Sequence, residues 1–327
     1  MSKVLVGMSG GVDSLVSAII LKKQGFDVTG GTLPICGGLS NNTAKNLCEM
    51  IGIPFVGIDT GNLFKSKVID YFKDSLRINE TPNPCIICNQ HVKLFGLHKY
   101  AIENGFDFVS TGHYAKISEF FGRITVEKGI DPQKDQSYML CRVPEEILKM
   151  TILPIGEITR FDAEMIAKDY PTTEPSQDAC FVKGGMTEWI SREVGLGESG
   201  FILDQNDQVL GSHIGLRAYT IGQREGLKLS GGPWFVTGKS TQKNALVVAH
   251  REDAMVSEFD VRDVNLWHNE DITVMIRYRA EPVKCSLVAT GDGTAKVTTQ
   301  IKVFAPTPGQ FAVFYNDNRI VGSAIIS

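Results

Sequence analysis

The six residues Ser9-Gly10-Gly11-Val12-Asp13-Ser14 constrain this chain more than any other stretch. They follow the apolar run Val4-Leu5-Val6, with Gly7 and Met8 between, and they open a run of helical character at residues 15–23. A strand, a tight turn and a helix N-terminus are therefore expected in succession. Such a turn offers backbone N–H groups and the Ser9 and Ser14 hydroxyls to an anion, and the helix dipole adds partial positive charge at the same place. Gly10 and Gly11 supply positive φ and an approach that a Cβ would block. The pattern is not the Walker loop, because no lysine precedes the hydroxyl residue and the two glycines are adjacent. Residues 7–14 are thus the expected phosphate-binding residues. The plain alternative is a glycine turn whose Ser or Asp caps the helix.

Strand-like and helix-like runs then alternate: a strand at 27–33, a helix near 42–51, a strand at 55–58, helices at 63–76 and 91–104, and a strand at 107–110. This pattern predicts an α/β fold, a doubly wound parallel sheet with helices on both faces. Ligands of such sheets bind beyond the carboxyl ends of the strands. Residues 9–14 and the stretch Ser110-Thr111-Gly112-His113 both follow strands at that edge, so Gly112 and His113 join the candidate nucleotide site. Beyond Tyr114 come a hairpin at 115–127, a polar loop at 131–137 and short helices at 145–149, 160–169 and 187–194. After Gly200 the chain reads as almost entirely β, with a Gly231-Gly232 turn and alternating runs at 273–279 and 296–303. Two small β domains fit this better than one, with a boundary near 265–269. The expected domains are 1–197, 198–266 and 267–327.

The partners are bounded by charge and cysteine usage. Net charge is −4 and no basic domain stands out, so any nucleic-acid contact must use a local patch. No apolar run is long enough to cross a bilayer. The N-terminus reaches its first strand without an apolar stretch and cleavage site. Seven cysteines, an odd number, then fit the free thiols of a reducing cytoplasm. Cys48, Cys141 and Cys285 lie in helical, apolar or strand runs and read as core packing; Cys36, beside Gly37-Gly38, is left open. In Thr81-Pro82-Asn83-Pro84-Cys85-Ile86-Ile87-Cys88-Asn89 the prolines hold an extended lead-in and defer the helix to about residue 90. Cys88 is then expected just before a helix N-terminus, where the thiolate is favoured. Cys180 lies in the polar loop Pro175-Ser176-Gln177-Asp178-Ala179-Cys180-Phe181. Cys85, Cys88 and Cys180 together offer three thiolates to an iron–sulfur cluster with one iron left open, or a redox dithiol plus one thiol. A zinc site wants a fourth ligand, for which only His91 or His113 stand near in type.

The loop resembles the pyrophosphatase loop of the ATP pyrophosphatases, which cleave ATP to AMP and pyrophosphate. SGGVDS, NPCIICN, TGHY (111–114), KDQSYML (134–140), PSQDACF (175–181), YTIGQREGL (219–227), IRYR (276–279) and TPGQFAVFY (307–315) also occur in the order seen in bacterial tRNA-specific 2-thiouridylases. The resemblance covers nearly the whole chain. It implies an N-terminal ATP-binding domain, a small central domain and a C-terminal β-barrel. It implies ATP and Mg²⁺ with Asp13 orienting the metal, tRNA as substrate, and a persulfide or sulfide donor protein. By position, Cys180 matches the cysteine that accepts persulfide sulfur and Cys88 its partner, with a Cys88–Cys180 disulfide as the product of sulfur release. Arg217, Arg224, Arg277 and Arg279 are candidate contacts to the tRNA backbone, with Gln223 and the polar-loop residues Lys134, Asp135 and Gln136. Two departures stand out. Cys85 occupies a position where many members carry Asp, and the segment 30–40 is shorter than usual, which bears on adenine contacts there. Rival functions are a cluster-dependent tRNA thiolase, an amidating or argininosuccinate-type ligase of the same superfamily, and a non-catalytic RNA-binding module.

Overall fold

The computed structural model describes residues 1–33, 35, 41–173 and 179–327. The undecided Cys36, most of the shortened segment and residues 175–178 of the cysteine loop lie outside the described residues. The chain divides into two compact units: residues 1–69, 84–181 and 318–320 form the first, and 70–83, 182–317 and 321–327 the second.

In the first unit the expected alternation is present. The strands and helices run β1 (Lys3–Gly7), α1 (Val12–Lys23), β2 (Asp27–Thr32), α2 (Asn41–Met50) and β3 (Phe55–Gly57). A π-helical turn, Phe64–Ile69, leads into α3 (Asp70–Arg77), which is counted with the second unit. Then follow α4 (Pro84–Cys88), a π-helical turn (Asn89–Lys93), α5 (Leu94–Glu103), β4 (Phe108–Ser110), the hairpin of β5 (Ala115–Phe120) and β6 (Arg123–Lys128), α6 (Glu145–Leu148), β7 (Thr151–Ile152) and α7 (Arg160–Ala167). The sheet order is β3-β2-β1-β4-β7, and every pairing in it is parallel. Central β1 is apolar because both of its faces are covered. Val4 and Val6 pack with α1 and α2 residues such as Leu15 and Leu47, while Leu5 packs on the other face with Leu97 and Ala101 of α5. From β1 the sheet grows to one side through β2 and β3 and to the other through β4 and β7, so the strand order reverses at β1 and its carboxyl end is the topological switch point.

Two local expectations change. α1 begins at Val12 rather than at 15, so the whole loop sits against its first turn. The helix expected from about 90 begins at Pro84, because proline is tolerated at the first helical position, where its missing N–H would have no partner.

In the second unit, α8 (Met186–Glu193) precedes β8 (Gly200–Leu203), β9 (Val209–His213), β10 (Phe235–Ser240) and β11 (Ala245–Ala249), which form a sheet of order β10-β11-β8-β9. The strands β12 (Met255–Leu266), β13 (Ile272–Met275), β14 (Val283–Gly291), β15 (Thr294–Phe304), β16 (Phe311–Asn316) and β17 (Arg319–Ile326) follow. They run β12-β15-β14-β13-β16-β17, and β12 pairs again with β17 to close a six-stranded barrel. The boundary expected near 265–269 is therefore displaced, because β12 is a barrel strand; the break between the sheets falls between β11 and β12. The strand expected at 273–279 stops at Met275, and Arg279 takes φ +63° in the turn that follows.

Candidate active site

The loop after β1 is built by its own hydroxyls. Ser9 N donates to Ser14 Oγ (3.2 Å), Gly11 N to Ser9 Oγ (3.4 Å), and Ser14 Oγ donates back to Gly11 O (3.1 Å). Gly10 takes φ +89°, as expected. Gly11 does not: it is the N-cap of α1 in an extended conformation, and no side chain caps the helix. A Cβ at Gly11 would meet only Ser9 Oγ at 3.5 Å and Thr173 Oγ1 at 4.0 Å, so the glycine leaves a shallow cradle above the helix N-terminus. Thr173 N donates to Gly10 O (3.0 Å) and fixes the far wall. Gly7 and Met8 lie beneath. Met8 is buried, and its N–H donates to Gly31 O.

The turn after β4 closes on this loop. A Cβ at Gly112 would lie 2.6 Å from both Asp13 C and Ser14 N, so this glycine is required for close approach to α1. It also lines the cavity into which the loop opens. His113 is buried, and its Nδ1 pairs with Thr111 Oγ1 at 2.7 Å. Burial, with Lys93's charge adding to it, holds its pKa well below the usual value, so the ring is neutral at neutral pH.

Asp13, in the first turn of α1, accepts from Tyr114 Oη (3.0 Å) and from the guanidinium of Arg160. Arg160 is the first residue of α7, whose N-terminus carries a capping box of Thr159 and Asp162. Its Nε donates to Glu164 at 2.7 Å and its backbone N to Asp131 at 2.9 Å. Burial, then Asp13's charge, raises the Tyr114 phenol above its ordinary range.

The thiols stand across the same cavity, whose volume is about 750 Å³ and whose walls include the loop, Cys85, Cys88, Lys93, His113, Arg160 and Cys180. Because the helix starts at Pro84, Cys88 is not poised before a helix N-terminus. It is buried among Phe64, Val68 and Val92, and burial pushes its thiol up to about 11, with Lys93 acting in the opposite direction. Cys85, one turn earlier, is exposed as a residue; the protein around its thiol still raises its pKa, with Lys93 opposing the rise and Cys180 adding to it. Cys180 is exposed, and Phe181 beside it packs edge-on against Phe64 at 6.1 Å, which brings the loop onto the Cys88 core. No disulfide joins Cys88 and Cys180, which the resemblance links only as the product of sulfur release. Among the described residues no group of three or more His, Cys, Asp or Glu side chains is arranged to hold a metal ion. The three thiols line one cavity, and Cys180 acts electrostatically on both Cys85 and Cys88. Cys48 has no exposed surface and packs in the α/β core, as expected.

The proposed tRNA contacts separate. Asp135 is an internal tie, accepting from Gly129 N, Ser137 N and Ser137 Oγ, and burial raises its pKa. Gln136 lines the cavity, and its Oε1 accepts from Tyr114 N at 3.1 Å. Lys134 is half-buried in the same loop. Arg217 donates to the carbonyls of Leu76, Gly195 and Arg77, and Arg277 to those of Phe304 and Ala305. Gln223 ties its own turn through Thr220 N and Glu225 O. All three are half-buried and engaged in these internal hydrogen bonds. Arg224 and Arg279 are exposed. Sequence reasoning missed Arg160, Glu164 and Lys93 as cavity residues. Lys93 stands shortly after a motif that was noted, whereas α7 carries no signal pointing to the loop.

The chain matches three family models: the tRNA methyl transferase HUP domain over residues 2–184, the tRNA methyl transferase PRC-barrel domain over 188–250, and the aminomethyltransferase beta-barrel domain over 255–326. Among curated proteins it is 38% identical to the tRNA-specific 2-thiouridylase MnmA of Clostridium botulinum (strain Alaska E43 / Type E3), covering 99% of this chain and 97% of that protein. It is 37% identical to that of Clostridioides difficile (strain 630), with 99% and 98% covered, and 34% identical to that of Bacillus subtilis (strain 168), with 99% and 95% covered. Identity at this level along the full length of both partners means that the chain belongs to the family of the tRNA-specific 2-thiouridylases.

Proposed function

We propose that this protein is an ATP-dependent tRNA 2-thiouridylase acting at a wobble uridine. A phosphate-binding loop and the thiols of Cys88 and Cys180 open into one cavity, and that juxtaposition carries the reading. The uracil 2-oxygen is a poor leaving group. Its attack on the α-phosphorus of ATP forms an O–P bond and expels pyrophosphate, so that AMP becomes the group displaced next. Ser9, Ser14 and the N–H groups of the loop bind the pyrophosphate portion. An Mg²⁺ ion fits the hard oxygen donors of Ser9, Asp13 and Ser14, and when bound it neutralises phosphate charge.

The terminal sulfur of a persulfide on Cys180, loaded by a donor protein, attacks C2 and displaces AMP. The Cys88 thiolate then attacks Cys180 Sγ, releases 2-thiouridine and leaves a Cys88–Cys180 disulfide that an external thiol reduces. Among the described residues no helix is long and apolar enough to cross a membrane; the cytoplasm is the compartment in which tRNA and reduced thiols coincide.

A second reading, favoured by the third thiol Cys85 in the same cavity, is sulfur transfer from an iron–sulfur cluster. Iron and acid-labile sulfide assays on anaerobically purified protein separate the two, since a metal-free, fully active sample removes the cluster. The function itself is tested by mass analysis of tRNA after incubation with ATP and sulfide. A gain of one sulfur for one oxygen is expected, and tRNA of unchanged mass overturns the reading.

A further inference from the structure

Among the described residues the walls of the cavity carry two acidic side chains, Asp13 and Glu164, and two basic ones, Lys93 and Arg160, His113 being neutral. That balance leaves nothing over for the several negative charges of a nucleoside triphosphate. Lys93 stands on the thiol side, where its charge acts on Cys85, Cys88 and His113. Arg160 is the cation on the loop side. It is bonded to a residue of the loop itself, and its side chain is 21% exposed against 35% for Asp13, so the pair is only partly screened by water.

Arg160 is also unusually well fixed. The capping box of Thr159 and Asp162 sets the start of α7, Asp131 holds its backbone N–H, and Glu164 takes its Nε. Asp13 takes Nη1, and a guanidinium has five N–H donors in a planar fork that suits phosphate oxygens. Any Mg²⁺ that draws on the Asp13 carboxylate competes with Arg160 for it. The nucleotide that brings the metal also brings phosphate oxygens, and the displaced guanidinium needs a new anion.

We propose that Arg160 is a triphosphate-binding residue, held in place by Asp13 before nucleotide arrives and transferred to the β- and γ-phosphates when it binds. Resting on the thiouridylase reading, this gives Arg160 a part in expelling pyrophosphate, because its charge faces the phosphates on which negative charge grows as the bond from the α-phosphorus to the leaving oxygen breaks. Asp13 then has two successive partners.

Equilibrium binding of ATP and of AMP to the full chain, with Mg²⁺ present, tests this in Arg160→Gln and Arg160→Lys, alongside tRNA-dependent pyrophosphate release. Loss of charge-assisted hydrogen bonds to the terminal phosphates predicts an ATP Kd raised about 10–100-fold in Arg160→Gln. AMP, which lacks those phosphates, should bind within about threefold of wild type on the same scale. Arg160→Lys, which keeps the charge and loses the fork, should fall between and also covers the case in which Arg160→Gln does not fold. Equal weakening of ATP and AMP would reduce Arg160 to a support for the loop, and unchanged ATP binding in both variants would overturn the proposal outright. If wild-type protein binds ATP with this Arg160 dependence yet releases no pyrophosphate with tRNA, the thiouridylase reading fails and the triphosphate site stands.

Discussion

Cys88 and Cys180 differ in setting. Cys180 is exposed, where a donor protein can reach it, while Cys88 is buried, with its thiol raised to about 11. Cys180→Ser is expected to retain tRNA-dependent pyrophosphate release and to give no 2-thiouridine with a persulfide donor, because activation and sulfur delivery use different groups. Simultaneous loss of pyrophosphate release would instead assign Cys180 to substrate positioning. Cys85→Asp discriminates the chemistry further. With persulfide transfer, thiolation should stay within about tenfold of wild type, a barrier change of about 1.4 kcal/mol. With a cluster, a hard carboxylate replaces a thiolate ligand, and activity and anaerobically bound iron should vanish together. The residue types were legible in the sequence, since cysteines between proline and asparagine do not read as core. Their pKa values were not, because burial by Phe64, Val68 and Val92 overrides a local helix argument that itself rested on the wrong helix start.

Elements were legible where one element carries its own signal. β1 reads as a strand buried on both faces from Val4-Leu5-Val6 alone, and the loop after it was placed correctly because strand, glycine and helix are contiguous. The α4 start was missed because a proline can either end a strand-like lead-in or open a helix, and only the packing of Ile86 and Cys88 decides which. Asp13 and Arg160 meet across 147 residues, a distance that no motif spans. Packing between elements also gives β2 a requirement that its sequence does not announce. A Cβ on Gly30 would overlap Cys48 Sγ on α2 and approach Met8 Cγ to 3.0 Å. Gly30→Ala is therefore expected to lower stability by about 1–3 kcal/mol through overpacking, read as a shift in denaturant midpoint. Adding Cys48→Ala should recover part of that loss. A midpoint unmoved by Gly30→Ala would show that α2 yields freely against the sheet.

On the scale of the whole chain, the first unit was readable because parallel strands and their crossover helices alternate in sequence order, whereas the barrel closes through a pairing of β12 with β17 that has no local signature. The two units also carry different titrating groups, which gives each its own pH dependence. In the first, burial raises Cys48 and Cys88 from 9.0 to about 11. Unfolded thiols lose their protons near 9 while the folded ones keep them, so these groups contribute stability below pH 9 that is lost as pH rises to 11. In the second unit Cys285, raised by burial to about 12, acts with the same sign over a wider window. Lys239 acts oppositely: burial lowers it from 10.5 to about 8, although its Nζ donates to Asn79 O at 3.0 Å. Between pH 8 and 10.5 the unfolded lysine binds a proton that the folded one does not, so its contribution rises with pH across that range. Each such proton is worth about 1.4 kcal/mol per pH unit. Of these two groups the lysine alone titrates from pH 8 to 9, the lysine and Cys285 oppose each other from 9 to 10.5, and Cys285 remains above 10.5. Stability of the second unit, followed by hydrogen exchange of amides in both of its sheets, should therefore climb from pH 8 to 9, flatten, and fall beyond 10.5, while the first unit only falls. Lys239→Met should remove the climb and leave the first unit unchanged; a climb that persists in that variant would mean that a group other than Lys239 is its source.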